Sequence, residues 1–169
     1  TVLNYGKYLD PEAIELFEQE TGIQVDYEEY VTPENMYTKY RAGAIDYDLI
    51  CTSDYMVEKL IQEGEVLELD YGNLPLSENL DPTYFEFSKS FDPENKYSLP
   101  YFFGTVGILY NKDIVDESKV NSWEILWDKT YSGQIIMADS VRDSFMVALK
   151  ILGCSLNTTD ETELKEAQD

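Results

Sequence analysis

The sequence predicts an α/β protein in which helices flank a largely parallel sheet. Two observations predict this class. Strand-like and helix-like segments alternate three times before residue 65, and glycines stand where each predicted helix should end, at Gly22, Gly43 and Gly64. A helix between two strands returns the chain to the same edge of the sheet, so this alternation favours parallel pairing.

The first strand and helix have clear boundaries. The apolar run from Val2 to Tyr5 predicts a strand. Asp10 followed by Pro11 is typical of a helix start, with an N-cap acceptor and a residue whose φ angle already suits the first turn. Ala13 and the apolar residues after it form one helix face, and Gly22 can take the left-handed conformation that ends many helices.

The next two strand–helix pairs show the same pattern of start and end signals. Alternating apolar residues at Ile23, Val25 and Tyr27 predict the second strand, and Thr32 with Pro33 predicts the helix start after it. The run 47–51 predicts a short third strand. Ser53 is the predicted cap of a third helix whose inward face carries Met56, Val57, Leu60 and Ile61.

The segment 91–111 differs from a regular strand. It opens with a turn around Asp92 and Pro93 and continues as an aromatic and β-branched run. Pro100, Gly104 and Gly107 interrupt this run, and in a strand such residues mark bends or a lost hydrogen bond. We expect a bent strand that crosses between two lobes, with residues 1–107 in the first lobe and 108–169 in the crossover and the start of the second.

Beyond the crossover a second α/β set is predicted. A short helix is expected at 123–127, a strand from Gln134 to Met137, and a helix at about 140–152. Asp160 with Glu163 indicates the start of a further helix.

Composition excludes several functions. Twelve basic and 34 acidic residues give a formal net charge of −22, which repels nucleic acid and anionic lipid and attracts cations. The chain has no His, which excludes Ser-His and Cys-His catalysis and His-ligated metal sites. No signal peptide and no apolar run long enough to cross a bilayer are present. Cys51 and Cys154 are interpreted as two buried thiols that behave as small apolar groups, with a disulfide left open.

Three strand-to-helix loops are candidates for a binding site, because ligands of open parallel sheets bind beyond the carboxyl ends of the strands. Tyrosines and carboxylates are frequent in these loops. The loops are 4–8, 52–55 and 138–143. A carboxylate in a first helical turn is favoured in its ionised form by the helix dipole.

Several motifs give the chain a family resemblance. They are the segment 91–111 and the shorter runs 20–23, 35–37, 47–49, 122–123 and 142–143. In these motifs the sequence resembles the spermidine/putrescine-binding proteins, the extracytoplasmic receptors of polyamine ABC transporters. The resemblance implies a two-lobed fold like that of periplasmic binding proteins, a polyamine ligand, a membrane permease as partner, no cofactor or metal and no enzymatic activity. It also implies a length about twice that of this chain, so that we expect the second lobe to be incomplete here.

The resemblance implies specific ligand contacts. Tyr5 stands where the family has a ligand-facing Trp, and Asp143 stands where it has an amine-binding Glu. The predicted ligand-binding residues are Tyr5, Tyr8, Ser53, Tyr55, Phe103, Asp139 and Asp143. Aromatic faces suit the methylene chain and add cation–π attraction, while carboxylates bind the ammonium groups.

Departures from the family pattern leave alternatives open. Gly6 stands where the family varies between Gly and a small hydroxyl residue. Lys7 stands where relatives have Asp or Glu, and Ser140 where some have a second carboxylate that Asp139 could replace. Lys7 and Arg142 permit a second hypothesis, a receptor for an anionic or neutral solute. A third, an extracellular hydrolase using a carboxylate pair such as Glu28 and Glu29, has less support.

We also expect a chain limited to these residues to self-associate or to be partly disordered after about residue 111.

Overall fold

The computed structural model describes residues 1–169, and they divide into two compact units, Thr1–Phe103 and Gly104–Asp169. No helix combines the length and the apolarity needed to cross a membrane.

The first unit contains a three-stranded parallel sheet. Its strands are β1 (Val2–Tyr5), β2 (Tyr27–Tyr30) and β3 (Leu49–Ile50), in the spatial order β2-β1-β3. In the register, Val2 is paired with Tyr27 on one side and with Leu49 on the other. The chain adds β2 to one side of β1 and then returns to the other side for β3. The order therefore reverses between β1 and β3, which is where open α/β sheets bind ligands.

Four α-helices and two short 3₁₀ segments, at Tyr71–Asn73 and Pro75–Asn79, belong to this unit. The α-helices are α1 (Pro11–Thr21), α2 (Pro33–Arg41), α3 (Asp54–Gln62) and α4 (Pro82–Ser88). The predicted starts of the first two are confirmed, because the side chains of Asp10 and Thr32 accept backbone N–H groups of the first turn. Gly22 ends α1 at a φ of 72°. The core beneath the helices is formed by four buried side chains, Leu3, Tyr30, Met36 and Met56.

The second strand begins later than predicted. Residues 22–26 are not in a strand, and β2 starts at Tyr27. The partner strand β1 starts only at Val2, whose N–H donates to the Asp26 carbonyl, so earlier residues have no ladder to join. Val25 instead donates its N–H to the Glu18 carboxylate.

Two further strand predictions are wrong. The run 101–110 of the expected bent strand and the run 134–137 are not strands. Backbone N–H and C=O groups form a strand only where a neighbouring strand pairs with them, and β1, β2 and β3 are the only strands present. Ile136, at 96% exposure, shows how fully the second run faces solvent.

The second unit is small. It contains α5 (Val141–Leu152), α6 (Glu161–Gln168) and three short 3₁₀ segments at Glu117–Lys119, Trp123–Trp127 and Lys129–Tyr131. Helix α5 packs against α6 and against the Trp123–Trp127 segment. Its buried residues are Val147 and Leu149, and Gly153 ends it at a φ of 74°.

Candidate functional site

The turn after β1 places two predicted site residues side by side. The Tyr8 N–H donates to the Tyr5 carbonyl at 3.3 Å, and the ring centroids of these tyrosines lie 5.1 Å apart. The Tyr5 ring also lies 4.5 Å from that of Tyr30, at the end of β2. Aromatic pairs at such separations attract each other beyond the effect of simple burial. The carboxyl edge of the sheet therefore carries a row of three tyrosine rings.

Ser53 is linked to this row rather than to its own helix. It occupies the N-cap position of α3 with an extended backbone, but its side chain makes no capping hydrogen bond. Its Oγ lies 2.6 Å from the Tyr5 hydroxyl. Burial raises the pKa of Tyr5, and the hydrogen bond to Ser53 acts in the opposite direction. Two of the predicted residues thus meet where the strand order reverses.

Tyr55, in the first turn of α3, packs against the core of the unit. Its hydroxyl donates to Glu34 Oε1 at 3.2 Å. The same end of the sheet holds Thr52, whose buried Oγ1 has no hydrogen-bond partner.

Phe102 and Phe103 lie in different aromatic clusters. Phe102 contacts Tyr8 edge-on, with centroids 5.2 Å apart. Phe103 contacts Tyr84 and Phe87, at 5.4 Å and 6.0 Å, and remains 62% exposed. The aromatic side chain that joins the tyrosine row from this segment is therefore Phe102, which was not among the predicted ligand-binding residues.

Asp92 holds the start of this segment in place. Its side chain is almost completely buried and accepts four hydrogen bonds, from the N–H groups of Lys96, Tyr97 and Ser98 and from the Ser98 hydroxyl, at 2.9–3.0 Å. The predicted turn is present, with the Asn95 N–H on the Asp92 carbonyl at 2.9 Å. Further along, the Tyr101 hydroxyl donates to the Tyr8 carbonyl at 2.8 Å, which attaches the segment to the tyrosine row.

Asp139 and Asp143 belong to the second unit, at the start of α5. Ser140 caps this helix by accepting the Asp143 N–H at 3.2 Å. Asp143 is therefore in the first turn, where the helix dipole favours a carboxylate, and it is half-buried. Asp139 precedes the cap and is exposed. Arg142 contacts the side chain of Asn157.

Lys7 adopts an unusual backbone conformation. Its φ is 65°, in the left-handed region that non-glycine residues rarely occupy. Its N–H donates to Glu29 Oε1 at 3.1 Å. The ion pairs of the chain involve other lysines, and Lys7 takes part in none of them.

Glu29 was considered in the sequence only as part of an acidic pair. It comes directly after the apolar alternation that predicted the second strand, and in the structure it lies within β2, one residue before the carboxyl end of that strand, where α/β folds bind ligands. Its neighbour Glu28 lies on the other side of the sheet and binds Lys39, which lowers the pKa of Glu28, and the Tyr47 hydroxyl. The two carboxylates therefore contact different groups.

The chain has two cysteines, Cys51 in the first unit and Cys154 in the second. Both are free thiols, and burial raises the pKa of Cys51 to about 11. No group of three or more acidic or cysteine side chains suitable for a metal ion is present.

Comparison with known proteins identifies the family. Residues 12–169 match the description "Bacterial extracellular solute-binding protein". The chain belongs to this family. It is 42% identical over 167 residues to the spermidine/putrescine-binding periplasmic protein of Escherichia coli K12, covering 97% of this chain and 47% of that protein. It is 36% identical over 173 residues to the putrescine/cadaverine-binding protein of Pseudomonas aeruginosa, covering 99% and 48%.

Solved structures agree with this assignment. The spermidine/putrescine ABC transporter substrate-binding protein PotD of Streptococcus pneumoniae is 42% identical, with a TM-score of 0.77 over 98% of this chain and 50% of that one. The TpPotD lipoprotein of Treponema pallidum is 30% identical, with a TM-score of 0.87 over 99% and 53%. The predicted family and fold class are confirmed. The chain spans about half the length of the relatives it matches.

Proposed function

We propose that this protein is the substrate-binding component of an ABC transporter, that it captures spermidine or putrescine outside the cytoplasmic membrane, and that it delivers the polyamine to a permease. The observation that carries the proposal is the row of tyrosine rings at the strand-order reversal, in a chain 42% identical to a spermidine/putrescine-binding protein. It acts as a receptor and not as an enzyme. The site lies at the carboxyl edge of the sheet, where α/β folds bind ligands.

Physical chemistry favours a polyamine at this edge. Flat rings provide apolar surface for methylene groups, and an ammonium over a ring face gains about 0.5–2 kcal/mol. The hydroxyls of Tyr5 and Ser53 can accept hydrogen bonds from ammonium groups. The net charge of −22 raises the local concentration of cations, which favours polyamines over anions.

The ligand contacts proposed for the first unit are Tyr5, Tyr8, Ser53, Tyr55 and Phe103. Asp139 and Asp143 are proposed as carboxylates that bind ammonium groups from the second unit. Asp143 is the stronger candidate, because it is half-buried in the first turn of α5, where the helix dipole attracts negative charge.

A ligand panel tests the function. The product of the complete reading frame is heated with spermidine, putrescine, phosphate, citrate or a sugar, and positive results are measured by calorimetry. We expect stabilisation by a polyamine and not by the other ligands. Tyr8→Leu should weaken polyamine binding about tenfold or more, while Phe17→Leu on α1 should not change it. The two side chains are matched in exposure, at 45% and 44%. Stabilisation by anions alone would overturn the proposal.

A further inference from the structure

The Glu29 carboxylate is attached to the turn that carries Tyr5 and Tyr8. Its Oε1 accepts the Lys7 N–H at 3.1 Å. The same turn is bound to β2 by the Gly6 N–H, which donates to the Tyr30 carbonyl at 3.0 Å. Glu29 therefore has a defined position beside the tyrosine row.

Most of the hydrogen-bonding capacity of Glu29 is unused. A carboxylate has about four acceptor sites, and the folded chain occupies one of them with the Lys7 N–H. The second oxygen, Oε2, lies 3.6 Å from the point that a Cβ on Gly6 would occupy. Because Gly6 has no side chain, nothing at that position covers this oxygen. Glu29 is exposed and takes part in no ion pair.

The other glutamates of this region are already bound to groups of the protein. Glu28 pairs with Lys39, and Glu34 accepts the Tyr55 hydroxyl. Glu65 pairs with Arg41 and accepts the Tyr40 hydroxyl. Glu29 thus differs from Glu28 and Glu65 in having no cationic partner, and from Glu34 in binding a backbone N–H instead of a side-chain hydroxyl.

We propose that Glu29 binds an ammonium group of the ligand at the Tyr5–Tyr8 turn and gives this end of the site its preference for cations, opposing the positive charge of Lys7. The inference rests on the proposed function, because it assumes a ligand with ammonium groups. The backbone bond to Lys7 holds the carboxylate in place before the ligand arrives, so little ordering is needed on binding.

Glu29→Gln removes the negative charge but keeps the turn in place, because the glutamine side chain retains an oxygen that can accept the Lys7 N–H. Glu20→Gln, an exposed position on α1, is the control for the change in net charge. Calorimetry with spermidine and putrescine on the product of the complete reading frame should give about three- to tenfold weaker binding for Glu29→Gln and no change for Glu20→Gln. Their melting temperatures should agree within about 1 °C. If Glu29→Gln does not fold, Glu29→Thr replaces it, since threonine suits a strand end.

Repeating the Glu29→Gln substitution in a Lys7→Met protein shows whether Glu29 contacts the ligand or only offsets the charge of Lys7. A direct contact with the ligand predicts that Glu29→Gln weakens binding in this background too. Loss of the effect there would mean that Glu29 only offsets the Lys7 charge, and would overturn the proposal. Equal affinities of Glu29→Gln and Glu20→Gln would also overturn it while leaving the proposed function intact. A wild-type protein that binds no polyamine would instead overturn the proposed function, and the role of Glu29 with it.

Discussion

The hydroxyls of Tyr5 and Ser53 lie 2.6 Å apart and connect the loop after β1 to the loop after β3. These loops are far apart in sequence but adjacent in space, because β1 and β3 are neighbours in the sheet. The contact explains why Ser53 does not cap α3 with its side chain. It also fixes the spacing of two proposed ligand contacts.

The first prediction concerns this contact. Tyr5→Phe and Ser53→Ala should each destabilise the protein by about 1 kcal/mol, and the double variant should lose less than the sum, because both remove the same hydrogen bond. Urea unfolding of the four proteins measures the coupling. Strictly additive effects would show that the two hydroxyls do not stabilise each other.

Asp92 should matter more for stability than any surface acid. Asp92→Ala leaves three half-buried backbone N–H groups without their acceptor, and we expect a loss of about 3–5 kcal/mol. Asp46→Ala, at an exposed site, should change the free energy of unfolding by less than about 0.5 kcal/mol. Denaturant titration compares them, and a similar small effect at both sites would contradict the role given to Asp92.

Lys7 should be replaceable by glycine with a gain in stability. At a φ of 65° a non-glycine residue is strained, and Lys7→Gly should stabilise the protein by about 0.5–1 kcal/mol. Lys112→Gly is the control, since Lys112 has no positive φ and glycine there should give no gain. Thermal unfolding of both variants is the measurement.

In the same turn, Lys7→Glu should tighten polyamine binding if residue 7 lies near an ammonium group.

Asp143→Asn should weaken polyamine binding more than Asp139→Asn. Asp143 is half-buried in the first turn of α5, whereas Asp139 is exposed before the cap, where water screens its charge. Calorimetry on the product of the complete reading frame provides the comparison. An affinity of Asp143→Asn equal to that of wild type would refute this assignment.

A polypeptide limited to residues 1–169 should bind polyamine weakly or not at all. The buried side chains of its second unit are Val147 and Leu149, too few to hold a unit of this size together. Exposed apolar residues such as Ile136 should promote self-association. Calorimetry with light scattering tests both statements, and micromolar spermidine binding by a monodisperse monomer would disprove them.

Local sequence signals determined where the helices begin and end. The Asp10-Pro11 and Thr32-Pro33 pairs start α1 and α2, and Gly22 ends α1, because capping and φ preferences act within a few residues. The site at the carboxyl ends of the strands also followed from the sequence, since alternating strands and helices predict a parallel sheet. The family was evident from the motifs of 91–111 and the shorter runs.

Tertiary structure decided whatever depended on a distant partner. An apolar run becomes a strand only beside another strand, which is why 134–137 does not form one and why β2 begins at Tyr27. The same holds for side chains. The Ser53 hydroxyl could have capped α3 locally, but it forms a hydrogen bond with the Tyr5 hydroxyl. The Glu29 carboxylate accepts the Lys7 N–H because β2 lies next to β1. Sequence patterns encode short-range preferences, whereas these contacts arise only when the sheet brings separate loops together.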